Sequence, residues 1–262
     1  MATPAVQCSK LTLGYPGLTT LTDTDLSFPR GQITCIVGGS GCGKSTLLKA
    51  AIGLLPPLSG EVLLLGQNLY NLDEADAQRL LTRIGVLFQG GAMLNSITVL
   101  ENVMIPLREH TDLSEDLMVE TALLRLRQVD MEHAAYLLPS ELSGGMKKRA
   151  ALARAMVLDP EVLFCDEPSA GLDPVTAAGL DELILNLKRL QGMTVVVVTH
   201  ELGSIRAIAD NIVMLQPGSL VFTGDLAAAD ASEHAVVRAF FGRKGEGRRK
   251  RPPLLSYVLE GR

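Results

Sequence analysis

The segment Gly38–Thr46 constrains the fold of this chain more than any other stretch. It holds four glycines in six residues, ends in Lys-Ser-Thr, and directly follows the apolar run Ile33–Val37. A short apolar run with β-branched residues predicts a buried strand of a parallel sheet, and the residues from Leu47 onward predict a helix. Strand, glycine-rich loop and helix in this order are typical of a phosphate-binding loop with the pattern G-x-x-x-x-G-K-[ST].

The loop predicts a nucleotide site, with a glycine-rich turn that binds nothing as the alternative. Glycine lets backbone N–H groups approach phosphate oxygens, and the helix N-terminus adds a partial positive charge. We expect Lys44 to reach the β- and γ-phosphates and the Ser45 hydroxyl to bind Mg²⁺. The predicted nucleotide-binding residues of the loop are Gly38, Gly39, Ser40, Gly41, Cys42, Gly43, Lys44, Ser45 and Thr46.

Composition limits the classes of protein that this chain can belong to. It has 262 residues, 47% of them hydrophobic, and no run of 18 apolar residues that would span a bilayer. The N-terminus shows no secretory pattern, so we expect a cytoplasmic protein that reaches a membrane only through a partner. The net charge of −5 and a pI near 5.4 argue against a nucleic-acid partner.

Carboxylates follow a second apolar strand pattern, Val162–Cys165. Asp166 and Glu167 come directly after it, and parallel strands end at the edge of the sheet where ligands bind. We expect Asp166 to hold Mg²⁺ and Glu167 to polarise the attacking water, as hydrolysis of a γ-phosphate requires. A loop with a capping Asp-Glu pair is the alternative.

Two further polar residues end predicted strands. Gln89 follows the strand Ile84–Phe88 and is expected to contact Mg²⁺ or water. His200 follows Val195–Val198 and is expected to donate a hydrogen bond to the γ-phosphate. Either residue alone is more often structural, but strand order places both beside Glu167. With Lys44 and Glu167 they form the predicted catalytic set.

A second loop-to-helix start lies far from the first in sequence. Leu142–Met146 contains Ser143, Gly144 and Gly145 before a helical pattern that runs from Lys147 to Leu158. A serine cap and paired glycines make a second anion-binding helix N-terminus. One small nucleotide hardly needs two such sites from one chain.

The strand and helix patterns predict an α/β fold with one helical insertion. Strands are predicted at Val6–Leu13, Asp25–Phe28, Glu61–Leu65, Thr194–Val198 and Asn211–Leu215, in addition to those above. Asp73 is expected to cap a helix to Thr82, and three helices are expected at Val99–Ile105, Ser114–Val129 and Glu132–Leu138. The predicted division is an α/β nucleotide-binding domain over residues 1–227, with a helical lobe at about 95–158, and an extension over 228–262.

The C-terminal extension and Cys42 each have two possible interpretations. Residues 243–251 carry six positive charges and one negative, followed by Pro252-Pro253 and the apolar run Leu254–Leu259. This is either a solvated basic linker or a tail that docks on a partner subunit, acidic surface or lipid headgroups. Cys42 is either a small tolerated side chain or a thiol whose alkylation blocks nucleotide binding. Cys35 and Cys165 are expected to be inert core residues.

Six motifs in this order resemble the ATP-binding-cassette (ABC) ATPases over about residues 5 to 225. They are Gly38–Ser45, Gln89, Leu142–Met146, Val162–Glu167, Gly171-Leu172-Asp173 and His200. The resemblance implies a phosphate-loop NTPase fold with a RecA-like parallel core, an antiparallel β layer and a helical lobe. It also implies a head-to-tail homodimer in which ATP lies between one phosphate loop and the other chain's Ser143-Gly144-Gly145.

Individual roles follow from the same resemblance. Asp173 would lie at the dimer seam, and Tyr15 lies where these proteins place an aromatic ring against adenine. Met146 stands where most ABC signatures have glutamine, so an amide that can contact ribose across the interface is lost.

A finer resemblance is carried by Leu87–Met93, Pro106–Thr111 and Ser143–Ala155. These segments are similar to the ATPase subunits of Mla/Mce-type phospholipid transporters, a subgroup that Met146 also fits. The resemblance implies a permease dimer, an MCE substrate-binding protein and a small STAS-domain subunit as partners. It implies a peripheral position on the cytoplasmic face of the inner membrane and phospholipid movement between the inner and outer membranes.

Three functions are candidates for a chain with these motifs. A transport ATPase explains every motif, with the helical lobe around Gln89–Glu109 acting on a membrane partner through a surface groove. Its substrate could also be another molecule carried by an importer or exporter. A soluble ABC protein acting on nucleic acid or ribosomes usually has paired cassettes or a long coiled-coil insertion, and neither is present. A phosphate-loop kinase or GTPase does not explain Ser143–Met146.

Overall fold

A computed structural model describes residues 3–242 and contains two sheets in that range. The smaller sheet has four antiparallel strands in the order β2-β1-β4-β5, and the larger has six in the order β10-β9-β3-β8-β7-β6. The strands are β1 Val6–Tyr15, β2 Leu18–Phe28, β3 Ile33–Gly38, β4 Ser59–Leu64, β5 Gln67–Asn68, β6 Ile84–Leu87, β7 Val162–Asp166, β8 Thr194–Val198, β9 Asn211–Gln216 and β10 Ser219–Gly224.

Nine α-helices surround the two sheets within residues 3–242. They are α1 Lys44–Ala51, α2 Glu74–Leu81, α3 Val99–His110, α4 Glu115–Gln128, α5 Gly144–Met156, α6 Pro174–Gln191, α7 Leu202–Ile208, α8 Leu226–Asp230 and α9 Ala235–Phe241. Short 3₁₀ turns lie at Leu69–Asn71, Glu132–Ala134 and Pro139–Glu141. No helix in this part of the chain is long and apolar enough to cross a membrane.

The parallel strands β9, β3, β8, β7 and β6 make up most of the larger sheet, and their carboxyl ends lie at the same edge as the phosphate loop. Every residue of β3 and of β8 is buried, which matches their uninterrupted apolar sequences. β3 pairs in parallel with β8 and β9, while β7 pairs in parallel with β8 and β6. The residues that follow β3, β6, β7 and β8 therefore share one edge of the sheet. The predicted α/β architecture is confirmed.

The antiparallel sheet differs from the sequence prediction at its hairpin. The predicted second strand began at Asp25, but β2 begins at Leu18, because the residues before Asp25 also pair with β1, across register shifts that break the two-residue alternation. Tyr15, the expected adenine contact, is the last residue of β1 and pairs with Leu18 across the turn Pro16-Gly17.

The segment between β6 and β7 holds α3, α4 and α5. Helix α5 packs on β6 of the larger sheet, while α3 and α4 pack on α5 and on each other. The predicted helix at Glu132–Leu138 is wrong, since only the single 3₁₀ turn Glu132–Ala134 forms there. The predicted helix at Val99–Ile105 is longer than expected and continues through Pro106 to His110. A capping box of Thr98 and Glu101 starts it.

Asp73 caps α2 as predicted, and its carboxylate accepts a hydrogen bond from the N–H of Asp76 at 2.8 Å. The C-terminal elements β10, α8 and α9 were not predicted. The boundary at residue 227 falls inside α8, and the division into residues 1–227 and 228–262 stays a prediction. The basic run and the apolar run beyond residue 242 lie outside the described residues.

Candidate nucleotide site

A cleft of about 760 Å³ opens at the carboxyl edge of the parallel strands. The cleft gathers groups that are far apart in sequence but follow neighbouring strands. It is lined by Gly38–Gly41, Lys44, Ser45, Gln89, Glu167, His200, Met214–Pro217 at the end of β9, and Val236, Ala239 and Phe240 of α9.

The phosphate loop takes a backbone path that requires glycine. Gly38 has a φ of 148°, and a Cβ there would clash with the carbonyl of Leu215 and lie 2.7 Å from Cys42 Sγ. Gly43 caps α1 in the left-handed conformation with a φ of 102°. No side chain caps α1, and its first turn holds no acidic residue. The N–H groups at this helix start are therefore left to bind an anion.

The Lys44 side chain contacts the backbone of the phosphate loop. Its ammonium donates hydrogen bonds to the carbonyls of Gly38 at 3.0 Å and Gly39 at 2.9 Å. Phosphate oxygens are stronger acceptors than these carbonyls, so a bound nucleotide would compete for the same donors. Cys42 is only 1% exposed, which limits the access of an alkylating reagent to its thiol.

Two buried carboxylate oxygens at the end of β7 lack a hydrogen-bond partner among the described residues. They are Asp166 Oδ1 and Glu167 Oε2. Burial raises the pKa of the Asp166 carboxyl, and the neighbouring Glu167 charge raises that pKa further, against the opposing effect of nearby lysines. An ordered water could donate hydrogen bonds to these oxygens, but only a cation would also relieve the repulsion between the two charges.

Glu167 and His200 touch each other inside the cleft. His200 Nδ1–H donates to Glu167 Oε1 at 2.9 Å, and Glu201 lies 3.4 Å from the other ring nitrogen. Glu167 has a φ of 48°, an uncommon conformation for a residue with a side chain. Its N–H donates to the Val198 carbonyl at 2.9 Å, so pairing with the end of β8 holds this conformation.

Some of the predicted site residues lie outside the cleft lining. Ser143 caps α5, where its hydroxyl accepts from the N–H of Met146 at 3.3 Å, and Gly144 and Gly145 open the same helix. Asp173 caps α6 and accepts from the N–H groups of Val175 and Thr176. Tyr15 is 39% exposed at the end of β1. One chain thus brings together the loop, Gln89, Glu167 and His200, but not these residues.

Sequence reasoning missed two contributors to the cleft region. Lys148 is buried, and its ammonium donates to the carbonyls of Gln89 and Glu167. Lys148 is the middle residue of the charged run Lys147–Arg149, and nothing in that run indicates that one of its three side chains is buried. Helix α9 contributes part of the cleft wall, but its short apolar sequence, with one arginine, carries no motif.

The fold and the cleft define an α/β nucleotide-binding protein of the phosphate-loop class. Comparison with known proteins narrows this class. The family model described as ABC transporter matches residues 21–170, which is more than half of the chain. The chain belongs to the ABC transporter family and is an ATP-binding, ATP-hydrolysing subunit of such a transporter.

Curated relatives match most of the chain. The intermembrane phospholipid transport system ATP-binding protein MlaF of Escherichia coli (strain K12) is 41% identical over 222 residues, which cover 85% of this chain and 82% of the relative. The probable ribonucleotide transport ATP-binding protein mkl of Mycobacterium leprae is 38% identical over 241 residues, with coverage of 92% and 70%.

Solved structures agree with this family. CbiO1 from Clostridium perfringens, part of the transporter complex cbiONQ, has a TM-score of 0.81 at 28% identity and covers 88% of this chain and 92% of its own. A dimer of the cassette MJ0796 in a post-hydrolysis state with ADP and Pi has a TM-score of 0.77 at 30% identity, with coverage of 84% and 98%. The dimeric cassette supports a homodimer for this chain.

Proposed function

We propose that the cleft binds ATP together with Mg²⁺ and hydrolyses the γ-phosphate. The observation that carries this proposal is the pair of unpartnered buried oxygens on Asp166 and Glu167. Glu167 lines the cleft, and Asp166 lies outside its lining but feels the charge of Lys44 in the phosphate loop. Mg²⁺ sites commonly use one or two protein oxygens plus substrate phosphates. Ser45, Gln89 and Asp166 would hold the ion, which would neutralise charge on the phosphates.

The chain's own residues would supply the remaining chemistry. Gly38–Thr46 would bind the phosphates through backbone N–H groups, and Lys44 would add its ammonium. Glu167 would accept the proton of the attacking water, and His200 would donate to the γ-phosphate. The contact of 2.9 Å between the two side chains supports this division of roles.

We infer that a second copy of the chain completes the site. Ser143, Gly144 and Gly145 form a helix start that is exposed or half-exposed and lies outside the cleft of its own chain. Placed on the nucleotide of a partner chain, this helix start would bind the γ-phosphate from the opposite side. Asp173 would then lie at the seam, and Tyr15 would contact adenine.

The transporter would place this dimer on a membrane permease dimer at the cytoplasmic face of the inner membrane. A groove of about 360 Å³ lies between the end of α2, β6, α3 and α5 and includes Phe88, Pro106 and His110. Phe88 is 36% exposed and directly precedes Gln89, so a permease helix in this groove would contact the residue next to the nucleotide site. This position supports mechanical coupling between the two.

The proposed cargo is phospholipid, moved between the inner and outer membranes. Similarity to MlaF, an ATP-binding protein of an intermembrane phospholipid transport system, supports this cargo. An MCE substrate-binding protein and a STAS-domain subunit are the further partners that we propose. We expect no nucleic-acid partner. Similarity to mkl, a probable ribonucleotide transport ATP-binding protein, favours ribonucleotides as the alternative cargo.

Purification of the chain from its native membrane tests this assignment. We expect a permease and phospholipid to co-purify, and His110→Glu to reduce the yield of permease while the isolated variant still binds ATP. His133→Glu, an exposed histidine outside the groove lining, is the matched control. Recovery of a different cargo would reject phospholipid as the substrate. A wild-type yield of permease with His110→Glu would reject the groove as the permease-binding site.

A further inference from the structure

Lys148 is a buried cation that contacts the backbone of two predicted catalytic residues, Gln89 and Glu167. It lies on α5, five residues after Ser143, and is 6% exposed. Its ammonium donates to the backbone carbonyl of Gln89 and, at 3.3 Å, to that of Glu167. These two carbonyls belong to the residues that follow β6 and β7.

This arrangement is unusual for a lysine that only fills space. Lysine is almost never fully buried without a partner, and within residues 3–242 the side chain of Lys148 forms no ion pair within 4 Å. Burial lowers the pKa of Lys148, while the charges of Asp166 and Glu167 work in the opposite direction. The buried cation is held by two carbonyls to which methionine, an unbranched side chain without an N–H donor, could not donate.

The backbone of Glu167 is held at both ends. Its N–H pairs with β8 through the Val198 carbonyl, and its carbonyl accepts from Lys148 and from the N–H of Ala170 at 3.2 Å. Because Glu167 has a positive φ, its side-chain direction depends on these restraints. The contact with Lys148 is the one that ties Glu167 to α5.

We propose that Lys148 is a positioning residue that couples the Ser143–Gly145 helix start to Gln89 and Glu167 of the same chain. The proposal rests on the proposed function of the site. An α-helix moves as a rigid body with a rise of about 1.5 Å per residue, so Ser143 and Lys148 are separated by about one and a half turns. When the nucleotide of a partner chain binds Ser143, α5 shifts. The Lys148 ammonium then moves the carbonyls of Gln89 and Glu167 with the helix.

The test separates turnover from binding in purified full-length protein. Lys148→Met is expected to lower kcat by between about 10-fold and about 100-fold, as slight misplacement of catalytic groups does, with KM and ATP affinity within about 2-fold of wild type. Lys148→Arg retains the donors and is expected to restore most of kcat. Lys147→Met makes the same change at the preceding residue of α5 and is expected to leave kcat near wild type.

Two outcomes would overturn the positioning role. One is a wild-type kcat in Lys148→Met. The other is a parallel loss of melting temperature, ATP affinity and kcat that Lys148→Arg does not repair, which would indicate general support of the fold. If Lys148→Met does not fold, Lys148→Gln with Lys148→Arg gives the same comparison. Lys44→Ala is the reference: retained turnover in that variant would instead reject the proposed function.

Discussion

Asp166 and Glu167 are adjacent carboxylates with different surroundings. Glu167 Oε1 accepts from His200, whereas Asp166 has a raised pKa and a buried oxygen without a partner in the described chain. This difference supports separate roles, with Glu167 as the base and Asp166 as a ligand of Mg²⁺.

Glu167→Gln is expected to bind ATP and to accumulate as a closed dimer. The amide keeps the size of the side chain but cannot accept the proton, so turnover should fall by about 10²- to 10⁴-fold. Phosphate release measures the rate, and light scattering after ATP addition measures the dimer. Glu120→Gln, an exposed residue of α4, is the matched control. An unchanged rate in Glu167→Gln would remove Glu167 from the mechanism.

Asp166→Asn is expected to stabilise the nucleotide-free protein while it impairs hydrolysis. A carboxyl whose pKa is raised on folding destabilises the native state once pH rises above its unfolded value, so the penalty is present at pH 7 and absent in acid. Removal of the charge should add about 1 kcal/mol at pH 7, typical of a relieved active-site conflict. Urea titrations at pH 7 and pH 4 measure this. A lower stability at pH 7 would show that other contacts of Asp166 dominate.

At the scale of elements, β6 and α5 are packed too closely for a side chain at Gly85. A Cβ there would clash with the carbonyl of Ala155 and lie 3.2 Å from Pro160. The contact fixes the strand that delivers Gln89 against the helix that carries Lys148. Close packing of this kind sets the distance between the two elements.

Gly85→Ala is expected to lower the free energy of unfolding by about 1–3 kcal/mol, because the strand or the helix must shift. Gly90→Ala is the control, since a Cβ at Gly90 meets nothing within 4 Å. Urea unfolding of both variants measures the difference. Equal stabilities would mean that β6 and α5 can separate at no cost.

Elements with strong local signals were predictable, and those defined by long-range contacts were not. Thr194–Val198 is five β-branched residues and was placed correctly, and the phosphate loop is marked by its glycines. Glu132–Leu138 has helical spacing, yet its chain turns at Ala135 and Leu137 to pair with the start of α3. No local pattern reports that pairing. The contacts of Lys148 were hidden for the same reason.

At the scale of the whole molecule, catalysis is expected to depend on assembly. Ser143→Arg should abolish hydrolysis, because the bulky cation would block the helix start from a partner's nucleotide, and Lys44→Ala should abolish it through the phosphate loop. A mixture of the two variants should restore at most one composite site per dimer. Phosphate release from each homodimer and from the mixture tests this expectation.

Two outcomes bear on the composite site. Full activity in either homodimer would refute a nucleotide shared between two chains. Activity in the mixture above that of both homodimers would support it, since each chain supplies what the other lacks. An equal mixture of wild-type and Ser143→Arg chains is the control for dilution of active subunits.

Helix α9 gives the chain's last described residues a place in the nucleotide cleft. Val236, Ala239 and Phe240 form part of its wall, while Val237 and Phe241 are buried in the core and Arg206 bonds the Phe241 carbonyl. A protein cut at residue 227 would therefore lose one side of the cleft along with the extension. A force on the chain at Gly242 would act on a helix that forms part of the cleft wall, so we expect such a force to change turnover.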